Sequence, residues 1–234
     1  MKQNKLCLAI IFLVSVNFSF GQKTEINFNA YSGLFSFRGN GTATNSSIGC
    51  SQFDPIWRTS NPYGQKSGFS YEFELQLQRV SKKHLIYGCG IGFETLQSKV
   101  HIDTSIFSAF IVNISPANGT TFLKNTFITV NPYIGHRFSF PKSSFDVLAG
   151  IDMGYCLKSS ELIWSPSGTK VNPDEQNDLT KPTIDFRARI QIKTQIKKFG
   201  FLAGYSLGVT NYQSQNNQKA YTSFIRLGLS YQIK

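Results

Sequence analysis

The chain of 234 residues is poor in the residue types that build most catalytic and metal-binding sites. Its three histidines, His84, His101 and His136, lie far apart in the sequence, and no His/Cys spacing typical of a metal site is present. Glycines cluster at residues 88–92, but the pattern there is that of a strand with no helix after it, so this is not a phosphate-binding loop. The sequence therefore predicts no catalytic residues, no metal and no cofactor.

Long hydrophobic runs are also absent after the first 21 residues. The first 21 residues themselves combine Lys2 and Lys5 with an apolar stretch at residues 6–16 and a small-residue end at Ser19 and Gly21. That order is typical of a secretory signal peptide, and the apolar stretch is shorter than the roughly 20 residues of a spanning helix. We expect a signal peptide at residues 1–21 and one exported domain at residues 22–234.

Cysteine is too scarce in the exported part to form a disulfide scaffold. Cys50, Cys89 and Cys156 are odd in number and widely spaced. A single bridge between Cys50 and Cys156 at one end of the fold stays open as an alternative.

What the chain does have is a period of two. Residues 69–79 alternate five apolar residues with serine, glutamates and glutamines, which is the pattern of a β-strand. Similar segments of about a dozen residues recur to the C-terminus, at residues 24–37, 85–97, 126–138, 145–157, 183–193, 199–209 and 221–233. Strands of globular proteins average about 5–6 residues, whereas tilted membrane-spanning strands need about 9–11.

The connections between these segments alternate in length. Short turns follow residues 80, 140 and 196, whereas the polar connections at about 39–66, 98–121 and 158–182 are long, and a shorter one lies at 213–219. Short turns at one end and long loops at the other are typical of outer-membrane barrels. We therefore predict an all-β fold, a closed antiparallel eight-stranded transmembrane β-barrel. A soluble exported ligand-binding barrel is the architectural alternative.

In a closed barrel of this size one face of each strand meets lipid and the other fills the lumen. The predicted lumen face carries acids and bases that should pair across the barrel, since buried unpaired charges are costly. The predicted lumen charge network is Glu72, Glu74, Glu94, Arg137, Asp146, Asp152, Asp185, Arg187, Arg189, Lys193 and Arg226. Such a network either plugs the interior or provides a path for ions.

Two local features qualify the pattern. The apolar phase of residues 24–37 slips near Ser32 and Gly33, so we expect a β-bulge there. Gly88, Gly90 and Gly92 fall on the lumen face, where they should make room for large neighbouring side chains.

On the lipid face, aromatic residues are expected at the membrane interfaces. The candidate girdle residues are Tyr71, Tyr87, Tyr155, Tyr205 and Tyr231. Lysines of the short turns, Lys82, Lys83, Lys142, Lys197 and Lys198, would contact anionic headgroups and explain much of the formal charge of +11. Because the bases do not form one stripe with stacking aromatics, nucleic-acid binding is not expected.

The predicted leader, the eight-segment plan and the terminal strand at residues 223–234 resemble the small outer-membrane β-barrel family, with its PorT-type and OmpA/OmpX-type members. Alternating residues of the last strand resemble the signal read by the barrel-assembly machinery: Ile225, Leu227, Leu229, Tyr231 and Ile233. Many members end in an aromatic residue, whereas this chain ends in Lys234. The resemblance implies a location in the cell outer membrane and contact with its lipid.

The resemblance also implies a function. We expect a non-enzymatic, monomeric barrel that acts in envelope integrity or with envelope protein partners, as a subunit of an outer-membrane secretion or assembly machine. A narrow pore for ions or small solutes is the first alternative. A lipid-A acyl-transfer or deacylase enzyme is the second, because His101, Asp103 and Ser105 could place a base, a carboxylate and a nucleophile on one side of a strand.

Overall fold

The computed structural model describes residues 23–54, 56–164, 170–171, 182–213 and 217–234. The predicted signal peptide lies outside these residues. The strands are β1 Lys23–Arg38, β2 Asn45–Ser51, β3 Arg58–Thr59, β4 Lys66–Val80, β5 Leu85–Ser108, β6 Val112–Ser139, β7 Ser143–Trp164, β8 Lys170–Val171, β9 Ile184–Ile196, β10 Phe199–Gly208 and β11 Tyr221–Gln232. No helix in these ranges is long and apolar enough to cross a membrane.

Eight of these strands form a closed ring of antiparallel pairs. Its order is β1, β4, β5, β6, β7, β9, β10, β11 and back to β1, with the β1–β11 and β5–β6 pairings completing the closure. Closure leaves no unpaired strand edge around the barrel, which is the condition for β-structure in lipid. The predicted eight-stranded antiparallel barrel is confirmed.

The barrel is apolar outside and polar inside. Large side chains such as Phe69, Leu75 and Ile91 are exposed on its exterior, while glutamates and arginines are buried within it. A soluble ligand-binding barrel would have the opposite arrangement, so that alternative is wrong. The edge of this apolar belt on the long-connection side is marked by charged residues. These are Lys99, Lys124 and Lys158, which lie on the neighbouring strands β5, β6 and β7. The belt is therefore the lipid-facing surface of a transmembrane barrel.

The expected bulge at Ser32 and Gly33 is wrong. Strand β1 pairs without a register shift along both β4 and β11. The apparent phase slip arises because Phe35 and Phe37, although aromatic, point inward and are fully buried. Glycine does make room where expected, since a Cβ on Gly90 would lie 1.9 Å from the Glu74 carboxylate.

The expected long loop at residues 98–121 is mostly a β-hairpin. Strands β5 and β6 stay paired as far as Ser108 and Val112, well past the barrel wall. Strand β2 adds to the extension, running parallel to β5 from His101 to Ser108. Short β3 pairs with β2, and the end of β7 pairs with β6 up to Thr120. The barrel thus carries an ordered sheet at its long-loop end.

The alternative disulfide between Cys50 and Cys156 is wrong. Neither sulfur is in a disulfide in the described structure. Strand β5 gives the level of each cysteine along the fold. Cys156 is opposite Phe127, which in turn pairs with Glu94 of β5. Cys50 is opposite Phe107 of the same strand. At about 3.3 Å per strand residue, these levels are roughly 40 Å apart along β5, far beyond the reach of a disulfide.

Candidate functional site

The lumen of the barrel holds the charged residues singled out in the sequence. All eleven are buried, with Arg137 the most accessible at 8%. They lie at three levels along the barrel axis: near the short turns, in the middle, and near the long connections. Each level joins residues from strands that are distant in sequence, because the ring brings those strands face to face.

At the short-turn level one guanidinium holds two carboxylates. Arg137 donates to Glu25 through Nη1 at 2.8 Å and Nη2 at 2.9 Å, and to Asp146 through Nε at 2.7 Å and Nη2 at 2.8 Å. Gln78 also donates to Glu25 at 2.6 Å. Both contacts of Arg137 are bidentate, which is the strongest geometry open to this pair of groups. Lys193 is fully buried beside this level, and its Nζ has no hydrogen-bond partner.

The middle level is a network of two arginines and three carboxylates. Arg226 contacts Glu72 and lies 2.9 Å from Asp152, and Arg189 lies 3.2 Å from Asp152. Arg189 also lies 3.6 Å from Glu74, which accepts a hydrogen bond from the Tyr31 hydroxyl at 3.0 Å. These contacts span the lumen from β4 to β7, β9 and β11.

At the level near the long connections, Arg187 pairs with Glu94 and lies 3.2 Å from Asp185. Above it, aromatic and aliphatic side chains close the lumen. This cluster, called the aromatic cap below, comprises Phe35, Phe37, Tyr63, Leu96, Leu123, Phe127, Cys156, Tyr212, Ala220 and Phe224. Phe37 stacks edge-on against Tyr63 and Tyr212, which come from connections rather than barrel strands. The lumen is therefore filled by ion pairs and capped by rings.

Sequence reasoning missed three parts of this interior. Glu25 was outside the set, although it shares its inward parity with Asn27 and Asn29 on β1. The inward positions of Phe35 and Phe37 were missed because a bulge was expected at Ser32 and Gly33, whereas the uninterrupted parity places both inside. Tyr63 and Tyr212 carry no strand signal, and only the folded connections bring them over the lumen.

The other predicted sets also have defined places. Tyr71, Tyr155 and Tyr205 point outward toward the long-loop side, and Tyr87 and Tyr231 toward the short turns. The proposed assembly-signal residues of β11 share the outward parity, and Ile225, Leu227 and Leu229 are each more than half exposed. These placements put both sets on the lipid face.

The three residues considered for catalysis lie on the hairpin extension, outside the barrel. Asp103 accepts a hydrogen bond from Thr104 at 2.9 Å, and Ser105 bonds Ser115 at 2.8 Å. Neither bond joins two members of the set, and the β5 register shifts at Asp103. The structure gives no base–nucleophile contact there.

The two ends of the lumen differ. The long-loop end is closed by the aromatic cap, whereas the short-turn end opens into a cavity of about 500 Å³. Arg137 and Glu25 are at its floor, and Lys82, Lys142 and Lys197 are among its walls. We call this cavity the mouth.

Comparison with known proteins adds little. No protein-family profile matches the chain, and no curated protein does. Among solved structures, Neisserial surface protein A is 8% identical with a TM-score of 0.38, covering 90% of this chain and 98% of that one. Ail, the attachment invasion locus protein of Yersinia pestis, is similar in one structure at 11% identity, with a TM-score of 0.32 and coverage of 91% and 99%. A second structure of Ail, in complex with the heparin analogue sucrose octasulfate, gives 10% identity, a TM-score of 0.34 and coverage of 90% and 99%.

These identities and TM-scores are too low to carry an argument. The barrel assignment rests on the strand pairing and on the apolar exterior of this chain itself.

Proposed function

We propose that this chain is a non-enzymatic, integral outer-membrane barrel that acts by binding other envelope proteins, as a subunit of a secretion or assembly machine. The observation that supports this is the β5–β6 hairpin, which projects beyond the apolar belt and ends in exposed apolar side chains. Phe110 is 95% exposed, Ile111 74% and Ile114 69%. Exposed apolar clusters on an ordered element mark interaction surfaces.

The composition of the hairpin supports a protein partner. Residues 104–123 contain no charged side chain, and Phe53 on the β2–β3 connection adds a further ring that is 85% exposed. On the outer side of β6, the described residues pair with β7 only from Thr120 onward. The hairpin therefore offers apolar side chains beside a strand edge that no described residue pairs with, the combination that binds extended protein segments by strand addition.

The filled lumen favours this function over the pore. Ion pairs occupy three levels of the interior and the aromatic cap lies across one end, and this packing of the described residues opposes a continuous water path. The enzyme alternative lacks a base–nucleophile contact. We expect that His101→Ala leaves lipid A unchanged by mass spectrometry in a matched pair of strains.

Purification of the native-level protein from its own outer membrane in mild detergent, followed by mass spectrometry, tests the proposal. Stoichiometric co-purifying proteins are expected with the wild type. They should be lost from a Phe110→Ser, Ile111→Ser variant. They should be kept by Val209→Ser, a single apolar-to-polar change at a 64% exposed position directly after β10. A lone barrel from the wild type, or equal loss in both variants, would contradict a docking role for the hairpin.

The membrane location has its own test. The protein should stay in the membrane fraction after a carbonate wash and should show a heat-dependent shift on a gel. Extraction by carbonate without such a shift would rule out an integral barrel.

A further inference from the structure

The mouth at the short-turn end is lined by turn lysines that take no part in the ion pairs filling the lumen. Each of three turns places one lysine in its wall: Lys82 between β4 and β5, Lys142 between β6 and β7, and Lys197 between β9 and β10. Lys23, at the start of β1, is a fourth. These strands are spread around the ring, so the cations surround the opening.

Two of the turns contain two consecutive lysines, of which the first lines the mouth and the second does not. Lys82 and Lys197 line the mouth, whereas their neighbours Lys83 and Lys198 are not among its lining residues in the described part of the chain. The positive φ angles of His84 (62°) and Lys197 (54°) close these turns tightly. Attraction to lipid headgroups accounts for Lys83 and Lys198 at the rim, but it does not account for lysines that line the opening.

The three turn lysines of the mouth, unlike Lys23, lack acidic partners among the described residues. Glu25 is the one carboxylate among the described lining residues, and Arg137, Lys23 and Gln78 already bind it. Lys82, Lys142 and Lys197 form no ion pair with any residue that the structure describes. A set of like charges around a concave opening concentrates field and attracts a ligand of opposite charge.

The remaining lining suits a peptide better than a bare phosphate. Val80 and Phe140 supply apolar surface, and Ser81, Gln195 and Gln232 supply groups that bond a peptide backbone. The volume of about 500 Å³ lies in the range of binding clefts, roughly 300–1,000 Å³. Lipid headgroups around the barrel meet the outside of its wall, whereas the mouth opens along the axis.

We propose that the mouth binds an acidic segment of a partner protein, with two or more carboxylates paired to Lys82, Lys142 and Lys197. This site is at the end opposite the hairpin, and it goes beyond the proposed function because it does not depend on the hairpin contact.

The probe is a short fluorescein-labelled peptide of glutamates around a central leucine, with the all-glutamine peptide as its neutral control. Binding is measured by fluorescence anisotropy to the full exported barrel in a non-ionic detergent at physiological salt. The variant is Lys82→Glu, Lys197→Glu, and the matched control is Lys83→Glu, Lys198→Glu, which changes the net charge equally. Neither pair of side chains contributes to the buried ion pairs, and the heat-dependent gel shift verifies that both variants fold.

The expected result is binding of the glutamate peptide alone, weakened about tenfold or more by the mouth variant and left within about twofold by the control. Equal weakening in both variants would show general charge attraction and overturn the site. No binding to wild type, or equal binding of the glutamine peptide, would overturn it as well. A further outcome is that the peptide fails to bind while pyrophosphate or anionic vesicles bind to wild type and not to the Lys82→Glu, Lys197→Glu variant. That result would overturn the proposal and make the mouth a site for phosphate groups.

Discussion

Arg137 and Glu25 form a bidentate ion pair across the barrel, with Nη1–Oε1 and Nη2–Oε2 distances of 2.8 and 2.9 Å, although 112 residues separate them. Glu25 lies on β1 and Arg137 on β6, three places apart in the eight-strand ring. The same guanidinium binds Asp146 on the adjacent strand β7. One side chain therefore ties the first strand to the opposite wall.

Removing this guanidinium should destabilise the barrel. Arg137→Ala leaves Glu25 and Asp146 buried with much weaker partners, and breaking a buried pair from one side costs about 3–5 kcal/mol. The free energy of unfolding is measured by titrating the barrel in detergent with urea, with the loss of the heat-dependent gel shift as the readout. The triple variant Arg137→Met, Glu25→Gln, Asp146→Asn should recover much of the loss. If the single variant is as stable as wild type, the ion pair does not stabilise the fold.

Gly90 should not tolerate a side chain. A Cβ there would lie 1.9 Å from Glu74 Oε1 and 2.7 Å from Glu74 Cδ, so Gly90→Ala must displace Glu74 from the Tyr31 hydroxyl. Overpacking of this kind costs about 1–3 kcal/mol. The same urea titration tests it, with Gly49→Ala as the control, because the atoms nearest a Cβ at Gly49 are 3.6 Å or more away. Equal stabilities of the two variants would count against a closely packed lumen.

The wild-type barrel should not conduct. Purified protein in a planar lipid bilayer is expected to give no steady single-channel current, because the middle ion pairs and the aromatic cap block the axis. Steady, reproducible current steps from wild-type protein would show that the lumen is a pore.

The extramembrane sheet should loosen as the pH rises. Burial raises the pKa of the Glu161 carboxyl above its ordinary value of 4.5, against the lowering effect of its bonds to Thr59. A carboxyl whose pKa is higher in the folded than in the unfolded state stabilises the fold when it is protonated. This stabilisation is complete below the unfolded-state pKa and is lost as the pH rises through the folded-state pKa. The β3 segment packed on Glu161 is therefore expected to be tightest in acid.

Trp57, two residues before Thr59, reports this change. With Trp164 replaced by Phe, quenching of Trp57 fluorescence by acrylamide should increase from pH 4.5 upward, and Glu161→Gln should flatten the dependence. A pH profile that is unchanged by Glu161→Gln would assign the effect to another group.

The sequence by itself determined the barrel and its two faces. Alternation is a local property, and strands of about a dozen residues joined by alternately short and long connections have few other folds to adopt. The parity that placed Glu72, Asp146 and Arg187 inside is set by the pleat of each strand. The same parity, continued through Ser32 and Gly33 without a bulge, would have placed Glu25, Phe35 and Phe37 inside.

Only the tertiary structure decided which groups meet. The partners of Arg137 depend on ring order and on the stagger between strands, and neither is written in any one segment. The hairpin extension arose from residues 98–121, whose loop-like composition hides the pairing that β2 and β6 supply. The aromatic cap needed Tyr63 and Tyr212, and their positions follow from connections whose path no local pattern fixes.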